Sequence, residues 1–232
     1  MNLFYQPRIP EGFLVLDQEE SRHCVKVLRK KTGDEIRITD GQGVFYECVV
    51  DTPDAQACTF SIVNRFEEPK KTYSIHIAIS PTKSPDRIEW FVEKAVELGI
   101  DRISLFESHN SERFKLKTER LIKIAVSAMK QSLKAWLPEI EPLKQFSKVI
   151  AGSNESEKFI ASVDAANPAH LKDVAGKSQE YIVLIGPEGD FTKEEISHAI
   201  AAGFKKVSLG TSRLRTETAG LAACHILNLL NS

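Results

Sequence analysis

The spacing of apolar positions divides this chain into two stretches that follow different patterns. Up to about residue 68, apolar side chains come in short runs or at every second position. Phe13-Leu14-Val15-Leu16, Glu35-Ile36-Arg37-Ile38-Thr39, Val44 to Val50 and Ala57 to Val63 are therefore predicted strands. Asp40-Gly41-Gln42-Gly43 supplies hairpin chemistry between two of them. One helix interrupts the strands. Asp17 followed by Glu20 is an N-terminal capping pattern, and the helix is expected to reach about Lys30 before Gly33 ends it. Short strands and tight turns predict a small β-barrel over residues 1–68.

Beyond Glu67-Glu68-Pro69-Lys70-Lys71, a charged, proline-bearing linker, the pattern becomes strand, helix, strand, helix. Tyr73 to Ser80, Ile103 to Phe106, Phe159 to Val163, Tyr181 to Ile185 and Val207-Ser208-Leu209 read as strands. Ser84-Pro85 opens a helix that Gly99 closes, and Thr118 to about Lys134 forms a second. Thr192 with Glu195 caps a third that ends at Gly203, and a last helix runs from about Thr216 to Leu230. The alternation predicts an α/β domain over residues 72–232, a parallel sheet with helices on both faces.

No apolar run approaches the ~20 residues that span a bilayer, and the N-terminus lacks the pattern of a signal peptide. Four cysteines without CxxC pairing fit reduced thiols in a cytoplasm and make zinc an unexpected ligand. Net charge is −1, so a protein coated in positive potential is excluded, yet the cations are clustered. Five of the eight Lys and Arg residues before residue 69 fall between Arg22 and Lys31. Residues 101–134 carry eight cations against four anions. Such patches suit a grip on RNA at a defined place, and equally suit solvated helix faces.

Two loops at strand ends carry the candidate chemistry. Gly186-Pro187-Glu188-Gly189-Asp190-Phe191 follows a buried strand, and its glycines let a ligand approach the main chain. Leu209-Gly210-Thr211-Ser212-Arg213-Leu214-Arg215-Thr216-Glu217-Thr218-Ala219 leaves a later strand and enters the last helix. A GxGxxG or GxxxxGK[ST] fingerprint is lacking, which disfavours dehydrogenases and P-loop nucleotidases.

Together these loops closely resemble the signature of the RsmE family, bacterial 16S ribosomal RNA uracil-N3 methyltransferases of the SPOUT class. The resemblance runs along nearly the whole chain. His23-Cys24-Val25-Lys26-Val27-Leu28-Arg29, Gly33-Asp34 and Asp40-Gly41 look like the family's PUA-like RNA-binding barrel. Lys94, Glu97-Leu98-Gly99, Ser111-Glu112-Arg113, Gln131-Ser132 and Pro138-Glu139-Ile140 match parts of its catalytic domain. Asp190 stands where the family usually has glycine, Thr211 to Arg215 departs from the common Arg-Ile-Leu-Arg form, and Lys134 sits near a usual arginine.

The resemblance implies a trefoil-knotted, SPOUT-type methyltransferase domain, a homodimer, a cytoplasmic location and S-adenosylmethionine as cofactor, with no metal. Its implied substrate is N3 of uracil 1498 in 16S rRNA of the small ribosomal subunit. Main-chain groups around Gly186, Glu188, Gly189, Leu209, Gly210 and Leu214, with Thr218, are the expected cofactor contacts. Arg215 is the candidate stabiliser of charge developing on the base, because guanidinium offers a rigid donor fork. Glu217 is either a carboxylate that orients the base or accepts a proton, or simply an anion favoured at a helix N-terminus. Arg8, Arg22, Lys26, Arg29, Lys30, Arg113, Gln131, Ser132 and Lys134 are the expected RNA contacts. The last helix, apolar on more than one stripe, suits either a dimer contact or packing within its own domain. A knotted methyltransferase for another RNA base and a non-catalytic RNA-binding assembly factor are the rival readings.

Overall fold

A computed structural model of the chain describes residues 2–111, 117–162 and 169–232. Two compact units result: Met1–Lys70 with Val126–Leu137, and Lys71–Ala125 with Pro138–Ser232.

In the first unit β1 (Leu3–Tyr5), β2 (Glu35–Thr39), β3 (Val44–Thr52) and β4 (Thr59–Glu67) form a four-stranded sheet in that order. β1 runs parallel to β2, and the other pairs are antiparallel. Phe4, Ile38, Val50 and Phe60, all essentially inaccessible to solvent, make its core. Asp17 caps α1 (Gln18–Arg22) as expected, its carboxylate accepting from the Glu20 amide at 2.8 Å. The helix ends about two residues short of the expected Lys30. It widens into one π-helical turn at His23–Val27 and stops at Leu28, with Arg29 in the left-handed region at φ 57°. Phe13 to Leu16 is not a strand either, since Val15 makes only an isolated bridge to Thr59.

The contribution of residues 126–137 to this unit has a local cause. The Gly43 amide donates to the Ala135 carbonyl (3.0 Å), and the Leu137 amide donates to the Gly41 carbonyl (2.9 Å). Trp136 Nε1 donates to the Glu68 carbonyl (3.0 Å) and Lys130 pairs with the buried Glu20. The Asp40–Gly43 turn is thus a receptacle for a distant segment as well as a hairpin.

The second unit holds a six-stranded, wholly parallel sheet. Its strands are β5 (Ser74–Ile79), β6 (Arg102–Glu107), β7 (Glu139–Gln145), β8 (Glu157–Ala161), β9 (Glu180–Ile185) and β10 (Lys205–Val207), in the order β10-β8-β9-β5-β6-β7. The unit also holds α2 (Pro85–Leu98), α4 (Phe146–Gly152), α5 (Leu171–Val174), α6 (Lys193–Ala201) and α7 (Thr216–Asn231), while α3 (Thr118–Gln131) begins in this unit and from Val126 onward belongs to the first. The expected strand at Val207–Leu209 lies two residues earlier, and Val163 falls outside the described residues. The connection after β5 leads toward β6, and the one after β9 leads to β10 at the opposite edge. Adjacent strands whose exits diverge leave a crevice at their C-terminal ends, where open α/β sheets bind ligands.

At the other end of the sheet a buried polar network joins three strands and the loop before β8. His76 hydrogen-bonds Glu155 (2.6 Å) and Ser104 (2.7 Å), and Ser104 donates to Glu141, which also pairs with Arg102 and with Lys144 (3.0 Å). Burial pushes the Glu141 carboxyl up, but hydrogen bonds from Ser104, Arg102 and Lys144 outweigh it and bring it down to about 2. Glu155 is also lowered, its burial outweighed by His76. Groups depressed on folding contribute stability above their unfolded value and lose it as pH falls. Urea unfolding midpoints should therefore decline from pH 4.5 toward about 2. Glu141→Gln should flatten that decline, and an unchanged slope would show that the network does not govern it.

Candidate functional site

The crevice at the ends of β5, β6 and β9 is a cleft of about 820 Å3, lined by Lys83, Ser84, Arg87, Asn110, Glu188 and Gly189, with Pro85 at the helix start. The loop after β9 takes its path from local sterics. A Cβ on Gly186 would come within 3.0 Å of the Phe191 ring, which is buried and stacked on Phe106. Asp190 adopts φ 60°, the left-handed region that glycine enters most readily. That explains why an aspartate there is a departure and how it is tolerated: its carboxylate accepts from the Phe191 amide at 2.8 Å. Asn110 holds the loop from outside, donating to the carbonyls of Gly189 (3.2 Å) and Asp190 (2.9 Å).

The second loop meets the first at one point. Thr216 Oγ1 donates to the Gly186 carbonyl at 3.0 Å, so the first turn of α7 is fixed to the start of the glycine loop. Of the expected cofactor residues, Glu188 and Gly189 line the cleft and Gly186 lies at its base strand. Leu209, Gly210, Leu214 and Thr218 are not among the lining residues, nor is Arg215. Gly210 is exposed at φ 130° with open space where a Cβ would stand, so a ligand can reach its main chain. Arg215 precedes α7 and is exposed.

Glu217 is buried, with 6% of its surface exposed. Among the described residues its Oε2 has no hydrogen-bond partner, and its Oε1 lies 3.9 Å from Arg87 Nε. Arg87 Nη1 lies 3.7 Å from Glu188 Oε1. One guanidinium therefore stands between two carboxylates at the cleft. Sequence reasoning missed Arg87 and Asn110. A signal for Arg87 existed, because a cation in the first turn of α2 opposes the helix dipole and needs nearby anions. For Asn110, whose partners are main-chain atoms about eighty residues away, there was none. A thiol nucleophile is disfavoured: all four cysteines are buried and unpaired, and burial pushes Cys24, Cys48 and Cys224 up to about 12.

The expected RNA residues fall in the first unit, apart from Arg113, which lies outside the described residues. Arg22, Lys26 and Arg29 are exposed, whereas Lys30 donates to the Glu35 carbonyl at 2.8 Å. Arg8 is engaged by Glu11 (3.0 Å) and lies over the Phe13 ring. Gln131 is exposed, the Ser132 hydroxyl donates to the Ala128 carbonyl (2.7 Å), and Lys134 is half-buried.

Residues 68–228 match the RNA methyltransferase domain family, and residues 16–63 match the RNA methyltransferase PUA domain. The chain is 30% identical to the ribosomal RNA small subunit methyltransferase E of Aquifex aeolicus, over 98% of this chain and 99% of that one. A crystal structure described as a probable rRNA-methyltransferase from Porphyromonas gingivalis superposes with a TM-score of 0.94 at 44% identity, covering 100% of this chain and 98% of that one. The ribosomal RNA small subunit methyltransferase E of Neisseria gonorrhoeae, bound to S-adenosylmethionine, gives 0.85 at 28% identity with the same coverage. With both loops in place and these likenesses along its whole length, the chain belongs to the ribosomal RNA small subunit methyltransferase E family, RsmE.

Proposed function

We propose that this protein transfers a methyl group from S-adenosylmethionine to N3 of a uracil in 16S rRNA, uracil 1498 by family resemblance. The observation that carries the reading is the cleft where β5 and β9 diverge, walled by a glycine loop that Thr216 ties to the second loop. The residues present fit the cofactor. Gly210 leaves its main chain open, and the buried Glu217 has an oxygen to spare beside a guanidinium. When bound, S-adenosylmethionine supplies an electrophilic methyl group.

The chain's own residues then position the base and manage its charge. Uracil N3 becomes a good nucleophile as its proton passes to solvent water, negative charge gathers on O2 and O4, and the new N3–methyl bond forms as the sulfonium's methyl bond breaks and S-adenosylhomocysteine departs. Arg215, exposed at the head of α7, is the donor fork for that charge. Glu217 lies too deep to face a base, so its part is electrostatic, exerted through Arg87. Residues 1–68 grip RNA and residues 72–232 bind the cofactor in this reading, and Val126–Leu137 belongs with the RNA-gripping part. A closed barrel in the first unit, a trefoil knot in the second, a homodimer and a cytoplasmic location complete it.

Mass-spectrometric mapping of 16S rRNA from a deletion strain tests the function: the N3 methyl on that uracil should disappear and return on complementation. An intact methyl mark would refute it. The loop makes a narrower prediction. Asn110→Ala removes two hydrogen bonds to the glycine loop, each worth about 1 kcal/mol, and should weaken S-adenosylmethionine binding by about tenfold in calorimetry. Unchanged affinity would show that the loop holds its path without Asn110.

A further inference from the structure

Charge at the cleft is patterned in a way that nothing about its backbone requires. Arg87 has Glu188 on one side at 3.7 Å and Glu217 on the other at 3.9 Å, and Lys83, whose amide donates to Glu188 Oε1 at 3.3 Å, brings a second cation to the cleft. Neither distance from Arg87 is a hydrogen bond. Among the described residues no side chain or carbonyl accepts from the Arg87 guanidinium, although it has five N–H donors. Its two neighbours differ in kind. Glu188 is 40% exposed and lines the cleft, while the Glu217 side chain is 8% exposed and sits behind. Glu217 therefore holds Arg87 by charge and not by a hydrogen bond, with Oε1 toward the guanidinium and Oε2 without a donor among the described residues.

A fixed cation flanked by an accessible carboxylate mirrors an α-amino acid head, which carries one carboxylate and one ammonium. Lys83 and Arg87 balance Glu188 and Glu217 at the cleft, so the four side chains sum to 0, as a zwitterionic head does. A phosphate, by contrast, would meet two carboxylates that offset the two cations, Lys83 and Arg87. We propose that Arg87 binds the α-carboxylate of the cofactor's methionine part, that Glu188 binds its ammonium, and that Glu217 anchors Arg87 from behind. The assignment rests on the proposed cofactor and adds side-chain contacts to the main-chain ones expected from the loops. Arg87 and Glu188 are binding residues in this scheme, and Glu217 is a positioning residue.

Calorimetry with the full chain and three probes tests it. S-adenosylmethionine has the amino acid head and the sulfonium, S-adenosylhomocysteine has the head alone, and 5′-methylthioadenosine has neither. Arg87→Ala should weaken the first two by about 10- to 100-fold, the range expected for a charge-assisted hydrogen-bond pair, and leave the third within about twofold. Arg87→Lys keeps the charge without the fork and should fall between. Glu188→Gln should follow the same selectivity. Equal weakening of all three probes would mean that Arg87 only shapes the loop, and it would overturn the assignment. So would unchanged binding of S-adenosylmethionine in Arg87→Ala. Wild-type protein that binds none of the probes would instead refute the cofactor reading itself, so the two failures are distinct.

Discussion

Replacing Arg215 with alanine is expected to lower single-turnover methylation by about 100-fold or more at saturating RNA and cofactor. The reasoning begins with the base, because negative charge on the uracil oxygens is larger at the transition state than in the bound ground state. A donor that meets this charge accelerates the step more than it tightens binding. Arg215 stands exposed one residue before α7, in extended backbone at φ −74° and ψ 157°. Arg215→Lys preserves charge but loses the planar fork, so its rate should lie between wild type and alanine. Cofactor affinity should change little in either variant. If Arg215 instead anchored an RNA phosphate, saturating RNA would restore turnover and the defect would appear as salt-sensitive binding. A wild-type single-turnover rate for Arg215→Ala would remove it from the chemistry.

What the sequence discloses about this fold depends on how local each determinant is. The caps were legible because each is settled within four residues. Asp17 does receive the Glu20 amide, and Thr192 and Glu195 form the full reciprocal capping box. The parallel α/β layout was legible from buried strands such as Tyr181 to Ile185, whose side chains are all inaccessible. β7 was not, because Glu139–Gln145 is an edge strand of mixed polarity. Its Pro142 falls where the register against β6 shifts, so it matches neither a buried run nor strict alternation. β1 escaped for another reason: three residues gain strand character only by pairing with β2, more than thirty residues later. The site divides the same way. Backbone-shaping glycines announce themselves, whereas the Arg87 cluster and the Asn110 clasp are made by tertiary contact alone.

Gly43→Ala should be among the most damaging single-atom-scale changes in the first unit, although it adds only one methyl group, because it does so in a buried turn. Two penalties coincide there. Gly43 has φ 98°, where a Cβ costs about 1–2 kcal/mol, and the added carbon would lie 2.3 Å from the Trp136 ring. That ring cannot simply swing away, because Trp136 Nε1 is bonded to the Glu68 carbonyl and the neighbouring Ala135 is bonded to Gly43 and Glu68. Overpacking of this kind adds about 1–3 kcal/mol, so the sum is about 2–5 kcal/mol. Urea unfolding followed by circular dichroism should register it. A double-mutant cycle separates the parts: in a Trp136→Ala background the clash is gone and only the backbone penalty stays, so the cost of Gly43→Ala should shrink by about 1–3 kcal/mol. Strict additivity would mean that Trp136 does not occupy the space above Gly43. Because Val126–Leu137 is held to the hairpin through this contact, Gly43→Ala should also weaken RNA binding. The cofactor cleft, built on β5, β6 and β9, should keep its affinity. Loss of cofactor affinity equal to the loss of RNA affinity would refute the assignment of the two tasks to two units.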